Sequence, residues 1–392
     1  MSLHGRSLVA LKDLTTDEIV QILDVADTMA EAVGFDDPSQ RTPAEPLDRI
    51  LASLFFEPST RTRLSFECAM LRLGGQVLGF SDPSGTSVSK GESLADTIRM
   101  AGGYSDIIVI RHPLAGAAKV AADHASVPVI NAGDGPHEHP TQTLTDLFCI
   151  RRRQGTLSGL KVGLCGDLKY GRTVHSLAPI MARFGSEMVC IAPDDLKMPP
   201  RWLDEVENIS GARPTQTASL EQALPELDVL YMTRVQRERF DKPEDYQRVA
   251  GVYVLSAELM KLAKEPMTVL HPLPRVDEIA ADVDGDPRAR YFEQAAGGVP
   301  VRMSLISLLL GMSGQPDTRK RFGLANGQQA DGPTQAATDR PTQPQVRIVT
   351  GPECANPKCI TTHERTVQAT FYDEPEGLRC VYCEQTNVQQ TL

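Results

Sequence analysis

The stretch FFEPSTRTRLSFE, residues 55–67, joins an apolar run to a polar turn and then to a helical pattern of apolar residues. It predicts a strand over 50–56, a turn at Pro58, and a helix that Ser59 and Thr60 can cap. The first-turn amides of a helix are unpaired, and its dipole is positive there. The stretch therefore predicts a strand–turn–helix unit whose junction can hold a ligand.

Side-chain donors add to the amides at this junction. Thr60, Arg61 and Thr62 follow one another in the first turn of the predicted helix. Hydroxyls, a guanidinium and free amides aimed at one point suit a phosphate group. The alternative is an ordinary capped helix with surface arginines, and this stretch alone does not decide between the two.

Similar apolar, β-rich runs alternate with helical patterns from about residue 50 to residue 310. The predicted strands are 50–56, 106–112, 128–132, 160–167, 187–193, 228–234 and 267–274. Runs that are apolar on both faces and separated by helices indicate parallel sheets covered on both sides. We therefore predict an α/β fold of two doubly wound parallel-sheet domains joined by bridging helices.

Changes of pattern give the predicted domain bounds. A bridging helix ends near residue 153, and LSGLKVGLCGD then restarts the strand pattern. The first domain is predicted over 1–153, with a C-terminal helix over 299–312 packing back on it, and the second over 154–298. Residues 313–345 are rich in Gly, Pro, Gln, Thr and Asp and predict a solvated linker. A short cysteine-containing module over 346–392 follows.

The composition excludes several classes of partner. The chain has 392 residues, 41% of them hydrophobic, and a net charge of −11, which disfavours binding to nucleic acid or to an anionic membrane. No basic-apolar leader and no membrane-spanning run is present, so we expect a soluble, cytoplasmic protein. Cys68, Cys149, Cys165 and Cys190 lie in apolar segments and are expected to be reduced core thiols.

The remaining four cysteines form two closely spaced pairs near the C-terminus. Cys354-x4-Cys359 and Cys380-x2-Cys383 are about twenty residues apart, which is typical of a structural four-thiolate Zn²⁺ site. The segments between them read as short strands, so we predict a small β-rich zinc ribbon with one zinc per chain. Two disulfides are the alternative, and the excess of acidic residues disfavours a zinc-ribbon nucleic-acid binder.

Further polar clusters follow the predicted strands. They contain Lys90 in GTSVSKGES, Arg111 in VIRHP, His139 and Gln142 in GPHEHPTQTLTD, Arg172 in GDLKYGRT, Arg234 and Gln236 in TRVQ, and the HPLPR turn at 271–275. Open parallel sheets bind ligands at the carboxyl ends of their strands. A site rich in arginine with one histidine suits a multiply anionic substrate.

Taken together, these segments resemble the carbamoyltransferases, and specifically the aspartate carbamoyltransferase family. FFEPSTRTR is similar to the family's carbamoyl-phosphate signature, and the resemblance covers roughly residues 5 to 312. Ornithine carbamoyltransferases usually have a cysteine after the histidine of H-x-L-P, where this chain has Pro272. The resemblance implies a carbamoyl-phosphate-binding first domain, an aspartate-binding second domain, and carbamoyl transfer to aspartate in pyrimidine synthesis without a redox cofactor.

The resemblance also implies roles for individual residues. Arg61, Thr62, Lys90, Arg111 and His139 would be catalytic. Carbamoyl phosphate would be held by Ser59, Thr60, Arg61, Thr62, Ser87, Arg111, His139, Gln142, Leu273 and Pro274. Aspartate would be held by Lys90, Arg172, Arg234 and Gln236. Ser87, with Thr86 as the rival, and Lys90 would enter the neighbouring subunit's site in a homotrimer, and Glu57, Arg172 and Arg239 would form an ion-pair set.

The cysteine module resembles the zinc domain of the family's separate regulatory chain. That chain also has a nucleotide-binding domain, for which residues 313–345 leave too little room. We therefore predict a fusion in which the zinc domain holds an assembly larger than one trimer, and in which CTP and ATP do not act through the usual site. Two other hypotheses remain: a carbamoyltransferase with another amine acceptor, and an inactive zinc-dependent scaffold, which the intact set of charged residues disfavours.

Overall fold

Two structural units make up the protein, which is described here from a computed structural model. The structure describes residues 2–235, 242, 244, 247, 251–312, 347–351, 353–364, 366–375 and 377–387. The first unit comprises residues 1–141 and 299–392, and the second comprises residues 142–298. Each unit has its own sheet and its own apolar core. The predicted linker and Gln236 and Arg239 lie outside the described residues.

A four-stranded parallel sheet forms the centre of the first unit. Its strands are β1 (Ile50–Phe55), β2 (Gln76–Phe80), β3 (Ile107–His112) and β4 (Val129–Asp134), in the order β2-β1-β3-β4. Its helices are α1 (Thr16–Ala32), α2 (Thr60–Arg72), α3 (Leu94–Tyr104) and α4 (Ala117–His124), and α5 (Pro140–Gln154) begins there. Five of the six β1 residues are buried, as expected for a strand with helices on both faces. All four carboxyl ends therefore lie at one edge.

The second unit has a five-stranded parallel sheet. Its strands are β5 (Lys161–Cys165), β6 (Glu187–Ile191), β7 (Thr215–Thr217), β8 (Val229–Met232) and β9 (Thr268–Leu270), in the order β7-β6-β5-β8-β9. The helices are α6 (Arg172–Arg183), α7 (Pro200–Ser210), α8 (Leu220–Ala223), α9 (Ala257–Met260) and the first part of α10 (Tyr291–Leu309). Its core includes Cys165, Leu230, Met232 and Val269, which come from the central strands.

The C-terminal module belongs to the first unit. It is an antiparallel sheet of β10 (Arg347–Thr350), β11 (Thr370–Glu374), β12 (Gly377–Cys380) and β13 (Thr386–Asn387). Its four cysteines and Phe371 share one core with residues of β1, β3 and α4, among them Ile108 and Ala117. The module is therefore packed on the larger sheet domain of its unit.

The predicted fold class is confirmed, because two parallel α/β sheets and a small β-rich cysteine module are present. All seven predicted strands are found, with ends shifted by a few residues. The prediction missed β2 and β7, which are edge strands. The domain bounds remain predictions. Among the described residues, no helix is both long enough and apolar enough to cross a membrane.

Candidate active site

The amino end of α2 lies directly after β1, as the opening stretch predicts. Ser59 is the N-cap residue, but its side chain does not make the expected capping hydrogen bond. The Ser59 hydroxyl is therefore not used to close the helix. Arg61 and Thr62 follow in the first turn, and Thr62 is buried with 8% of its surface exposed. This end of α2 keeps amides and a hydroxyl for a ligand.

Arg111 lies beside this helix end because of the sheet register. It pairs with Phe55 where β1 and β3 run side by side. Its guanidinium donates to the Glu57 carboxylate, with Nε at 3.0 Å, and to the carbonyl oxygen of Ala132 at 3.3 Å. Burial and the nearby Arg111 charge both lower the pKa of Arg61. Two guanidiniums near a single paired carboxylate favour an anionic ligand at this edge.

His139 ends the turn that follows β4. It is buried, with 6% of its surface exposed, and its Nδ1 lies 3.5 Å from the Thr141 hydroxyl. The carboxylate of Asp134 holds the turn: its Oδ1 accepts hydrogen bonds from the Glu138 amide and from the Asn131 side chain, both at 3.0 Å. Sequence analysis singled out His139 but missed Asp134, whose role depends on these contacts across the turn.

Lys90 and Ser87 occupy a short 3₁₀ turn after β2, at the same edge of the sheet. Both residues are exposed, and neither side chain has a hydrogen bond or ion pair with the part of the chain that the structure describes. The rival residue Thr86 differs, because its hydroxyl donates to the carbonyl oxygen of Pro83 at 2.7 Å and accepts the Val88 amide. The Thr86 hydroxyl is thus used within its own loop.

In the second unit, the predicted aspartate-binding residues follow neighbouring strands. Arg172 is the first residue of α6, after β5, and Arg234 comes two residues after β8. β5 and β8 are paired in parallel, so both arginines lie at the carboxyl edge of one sheet. Leu273 follows β9 at the same edge, with a φ of 52° that a branched residue rarely adopts. The Leu273 amide donates to His271 Nδ1 at 2.8 Å, which helps to hold this backbone.

A buried carboxylate orients Gln142 within the second unit. Gln142 Nε2 donates to Asp146 Oδ1 at 2.7 Å, and Gln294 Nε2 donates to the same oxygen at 2.6 Å. The Tyr231 hydroxyl donates to Asp146 Oδ2 at 3.0 Å. Burial and the Asp146 charge raise the pKa of Tyr231 well above its ordinary value. Sequence analysis missed Asp146, although its spacing of four residues from Gln142 places both on one face of α5.

The hydrogen bonds continue from Gln294 to the HPLPR turn. Gln294 Oε1 accepts the amide of His271 at 2.9 Å, and His271 Nε2 lies 2.6 Å from Glu278 Oε1. Burial is the largest single influence on Glu278 and would raise its pKa. The hydrogen bond and charge of His271, together with backbone hydrogen bonds to the carboxylate, outweigh burial and lower that pKa to about 2. One buried network thus fixes both Gln142 and the backbone before Leu273.

The four C-terminal cysteines converge as the spacing predicts. Their Sγ atoms all lie within 4.8 Å of one another, with 3.5 Å between Cys354 and Cys383 and 3.8 Å between Cys359 and Cys380. Four thiolates at about 2.3 Å from a tetrahedral metal ion would be about 3.8 Å apart. The Thr361 hydroxyl also donates to Cys359 Sγ at 3.2 Å, as expected for a metal-bound thiolate. The residues therefore fit a tetrahedral metal ion.

Comparisons with known proteins identify the family to which these domains belong. The carbamoyl-phosphate-binding domain of aspartate/ornithine carbamoyltransferases matches residues 6–152, and their Asp/Orn-binding domain matches residues 158–309. The aspartate carbamoyltransferase catalytic subunit of Thermococcus gammatolerans is 53% identical over 312 residues, which are 80% of this chain and 100% of that protein. The chain belongs to the aspartate carbamoyltransferase family. It is accordingly an enzyme that transfers carbamoyl groups to aspartate.

Other members of the aspartate carbamoyltransferase family show the same extent of similarity. The catalytic subunit of Clostridium acetobutylicum is 52% identical over 311 residues, which are 79% of this chain and 99% of that protein. The solved catalytic subunit of M. jannaschii has a TM-score of 0.73 and 45% identity, over 78% of this chain and 98% of that one. The Trypanosoma cruzi enzyme in complex with N-(phosphonacetyl)-L-aspartic acid has a TM-score of 0.73 and 39% identity, over 79% of this chain and 97% of that one.

The C-terminal module has a separate match. The metal-binding domain of the aspartate carbamoyltransferase regulatory chain matches residues 347–391. This chain therefore joins the catalytic domains of the family to a metal-binding domain that the family model describes in the regulatory chain. The four-cysteine cluster lies within the matched residues.

Proposed function

We propose that this chain transfers the carbamoyl group of carbamoyl phosphate to the α-amine of L-aspartate, giving N-carbamoyl-L-aspartate and phosphate in UMP synthesis. The observation that carries the proposal is the first unit's sheet edge, where the open amino end of α2 lies beside Arg61 and Arg111. Both guanidiniums and the first-turn amides favour a dianion such as a phosphoryl group. The identity and structural matches to the family support the same reaction.

The phosphoryl group would occupy the amino end of α2. Ser59, Thr60, Arg61 and Thr62 would donate to its oxygens, and Arg111 would lie between these oxygens and the carbonyl oxygen. The unused capping hydroxyl of Ser59 supports this assignment. Ser87 and Lys90 would complete the site from a neighbouring subunit.

Hydrogen-bond donors of the protein would contact the carbonyl oxygen of the carbamoyl group. The deprotonated amine of aspartate attacks the carbamoyl carbon, and Thr62, Arg111 and His139 stabilise the oxyanion of the tetrahedral intermediate. One donor of this kind contributes about 3–4 kcal/mol to lowering the barrier in other enzymes. The bond from carbon to the phosphate oxygen then breaks, and phosphate leaves with the amine's proton. Gln142 would contact the carbamoyl nitrogen, and the backbone at Leu273 and Pro274 would contact the reacting groups.

The two carboxylates of aspartate would be bound in the second unit. Arg172, Arg234 and Gln236 would receive them, together with Lys90. The position of Arg172 and Arg234 after paired parallel strands supports this role. Two guanidiniums suit a dicarboxylate better than a cationic acceptor such as ornithine.

Matched arginine variants test the proposal. Arg63 is also on α2, but its guanidinium is paired with Glu67 at 3.1 Å. Arg61→Gln should lower kcat/KM for carbamoyl phosphate about a hundred- to thousandfold, because it removes a donor to the developing charge. Arg63→Gln should change kcat/KM only a few-fold. Equal losses in both variants would contradict the site.

The acceptor is tested separately by rate measurements with L-aspartate, L-ornithine and other amines. We expect carbamoyl transfer to L-aspartate and tight binding of N-phosphonacetyl-L-aspartate by calorimetry. Transfer to ornithine but not to aspartate would favour the other-acceptor hypothesis. Binding and turnover of none of these compounds would favour the inactive scaffold.

The metal is proposed to be Zn²⁺, one ion per chain, held by Cys354, Cys359, Cys380 and Cys383. A closed set of four thiolates in tetrahedral geometry favours zinc in a structural role. When bound, the ion supplies a fixed link among the strands of the module. Metal analysis of the purified protein should give one equivalent of zinc, and iron or less than half an equivalent of any metal would overturn the assignment.

The active enzyme is proposed to be a cytoplasmic homotrimer with shared sites. The side chains of Ser87 and Lys90 are exposed and have no partner among the described residues, which supports their use by a neighbouring subunit, and the internal bonds of Thr86 favour Ser87 over it. Exposed apolar residues on α2 and α3, such as Leu71 and Tyr104, each at 61% exposure, support an interface. Mixed oligomers of the inactive variants Lys90→Ala and Arg61→Gln should regain activity, since one composite site then has both native residues. No recovery after mixing would contradict shared sites.

A larger assembly through the zinc module remains a proposal, as does the lack of response to CTP and ATP. Sedimentation before and after metal removal tests the first, and a fall from a larger species to a trimer is expected. Aspartate saturation curves with and without CTP or ATP test the second. A clear shift of the curve would overturn it.

A further inference from the structure

The C-terminal module contacts the strip of chain that directly follows Arg111. The Ala115 amide donates to the carbonyl oxygen of Lys358, and the Ile360 amide donates to the carbonyl oxygen of Ala115, both at 2.9 Å. These two bonds join the module to the first unit as a short parallel bridge. Only residues 112–114 separate this bridge from the guanidinium-bearing residue of the candidate site.

The strip also packs tightly against the module. Gly116 has a φ of 86°, and a Cβ added there would lie 2.6 Å from the Tyr382 Cβ. Ala115 and Ala117 are buried in the same core as Cys359, Ile360 and Phe371. No side chain fits at residue 116, so the module packs directly against the backbone of this strip.

A second contact reaches the turn that carries His139. Glu384, the residue after Cys383, contacts the ammonium group of Lys12 through Oε1. Its Oε2 lies 3.8 Å from His137 Nε2, and this imidazole nitrogen has no hydrogen bond within the described chain. The Glu384–His137 contact is therefore an electrostatic attraction rather than a hydrogen bond.

His137 lies between two carboxylates. Its Nδ1 is 3.0 Å from Asp134 Oδ2, and its side chain is only 13% exposed. Burial alone would lower the pKa of His137, but the charges and contacts of Asp134 and Glu384 outweigh it and raise that pKa well above its ordinary value. A cationic His137 is thus held from both sides.

Asp134 joins the two contact regions. Its Oδ2 accepts the Gly116 amide at 2.8 Å, and its Oδ1 accepts the Glu138 amide at 3.0 Å. The buried Asp134 carboxylate thereby connects Gly116, which packs against the module, with Glu138, the residue directly before His139. A displacement of the module is therefore expected to change the positions of both Arg111 and His139.

We propose that Glu384 and His137 are positioning residues for His139, so that the metal-binding module holds the turn 134–139 in the form that carbamoyl phosphate requires. The inference rests on the proposed function, in which His139 meets the carbonyl oxygen. It differs from an assembly role, because the contacts lie within one unit of one chain. Glu384 and His137 do not touch the substrate in this account.

The test compares three single variants and one double variant of the full-length, metal-loaded protein. Glu384→Gln removes the charge from the module side, and His137→Asn removes the imidazole from the other side without altering the module. Glu374→Gln is the matched control, because Glu374 is also in the module but pairs with Arg379 inside it. Metal content and the unfolding midpoint are measured for each variant, so that a loss of folding is recognised.

The first readout is hydrogen exchange without substrates. Exchange in peptides covering 133–139 should rise about tenfold in Glu384→Gln and in His137→Asn, because local opening becomes easier, and should be unchanged in Glu374→Gln. The second readout is the dissociation constant for carbamoyl phosphate. It should rise about tenfold in Glu384→Gln and in His137→Asn, because His139 is then misplaced as a hydrogen-bond donor. The double variant should be no worse than either single variant, as expected for two residues in one contact.

Two results would overturn the inference: wild-type exchange and wild-type affinity in both Glu384→Gln and His137→Asn, or equal changes in the Glu374→Gln control. Failure of the proposed function looks different, because the wild-type protein itself would then neither bind carbamoyl phosphate nor turn it over. In that case the exchange measurement still reports whether the module holds the turn.

Discussion

The two units hold their candidate site loops in different ways. In the first unit, the turn before His139 and the strip after Arg111 are contacted from outside by the metal-binding module. In the second unit, Gln142 and the backbone before Leu273 are fixed from inside by buried hydrogen bonds centred on Asp146. A small module of this kind depends on its metal for folding, whereas a buried network depends only on its own core. We therefore expect the two units to respond to different perturbations.

Metal removal should produce the largest effect, and it should be confined to the first unit. Structural zinc contributes about 10–16 kcal/mol of apparent binding free energy in small domains, and a module of about 45 residues has little other core to stabilise it. Chelation should therefore unfold the module and raise hydrogen exchange at 112–116 and 347–387. Exchange around Tyr231 and Gln294 should stay unchanged.

Restoring zinc is the control for metal removal, and exchange should return to its starting values. Cys354→Ser should reproduce the effect of chelation without a chelator. Equal increases in both units would show that the second unit also depends on the module and is not held by its own buried network alone.

Loss of the Asp146 carboxylate should produce the next largest effect, confined to the second unit. Asp146→Ala leaves the donors of Gln142, Tyr231 and Gln294 buried without their acceptor, which should reduce the free energy of unfolding by about 3–5 kcal/mol. Tyr231→Phe is the milder control and should cost about 1 kcal/mol, because both amides still reach the carboxylate. Trp202, the single tryptophan, lies on α7 of this unit, so urea unfolding followed by its fluorescence reports the change.

A result that would contradict the role of Asp146 is a smaller loss of stability in Asp146→Ala than in Tyr231→Phe. The cysteine module provides a second check, since its metal content should remain at the wild-type value in both variants. Loss of metal in Asp146→Ala would show that the two ways of holding the loops are coupled.

Local patterns explain what could be predicted from the sequence. The β1–α2 unit and the cysteine spacing are each defined within a short stretch, so their structures followed from apolar periodicity, turn residues and ligand spacing. β2 and β7 were missed because neither is a continuous buried apolar run. None of the residues of β2 (QVLGF) is fully buried, and β7 consists of the polar residues TQT. Both strands are recognisable only once the sheet order is known.

Long-range contacts explain what could not be predicted. A buried Asp146 reads in sequence like a surface residue of an amphipathic helix, and its partners Tyr231 and Gln294 are far away in the chain. The Glu384–His137 contact likewise joins two motifs that sequence analysis treated separately. In contrast, the arginines and His139 were singled out as candidates because each lies in a short motif next to the end of a predicted strand.

Acid should produce the smallest of the three effects, and it should destabilise the second unit through His175. His175 donates from Nε2 to the carbonyl oxygen of Leu168 at 2.8 Å, and its ring stacks on Trp202 with centroids 4.9 Å apart. Burial lowers the pKa of His175 to about 4; the hydrogen bond to Leu168 opposes this, and the charge of Arg201 adds to it. The folded state therefore favours the neutral imidazole.

The sign of the pH dependence follows from this difference. The pKa of His175 is about 6.5 in the unfolded chain and about 4 in the folded one, so protonation favours the unfolded state. The contribution of neutral His175 to the free energy of unfolding is fully present above pH 6.5 and is lost as the pH falls toward 4. The loss is about 2 kcal/mol by pH 5. His175→Gln keeps a donor for Leu168 but cannot be protonated, so its unfolding free energy should fall by about 2 kcal/mol less than that of the wild type between pH 7 and pH 5. Trp202 fluorescence during urea unfolding measures the unfolding free energy of the second unit in the wild type and in His175→Gln. Equal losses of unfolding free energy in the two proteins would show that another group carries the acid sensitivity.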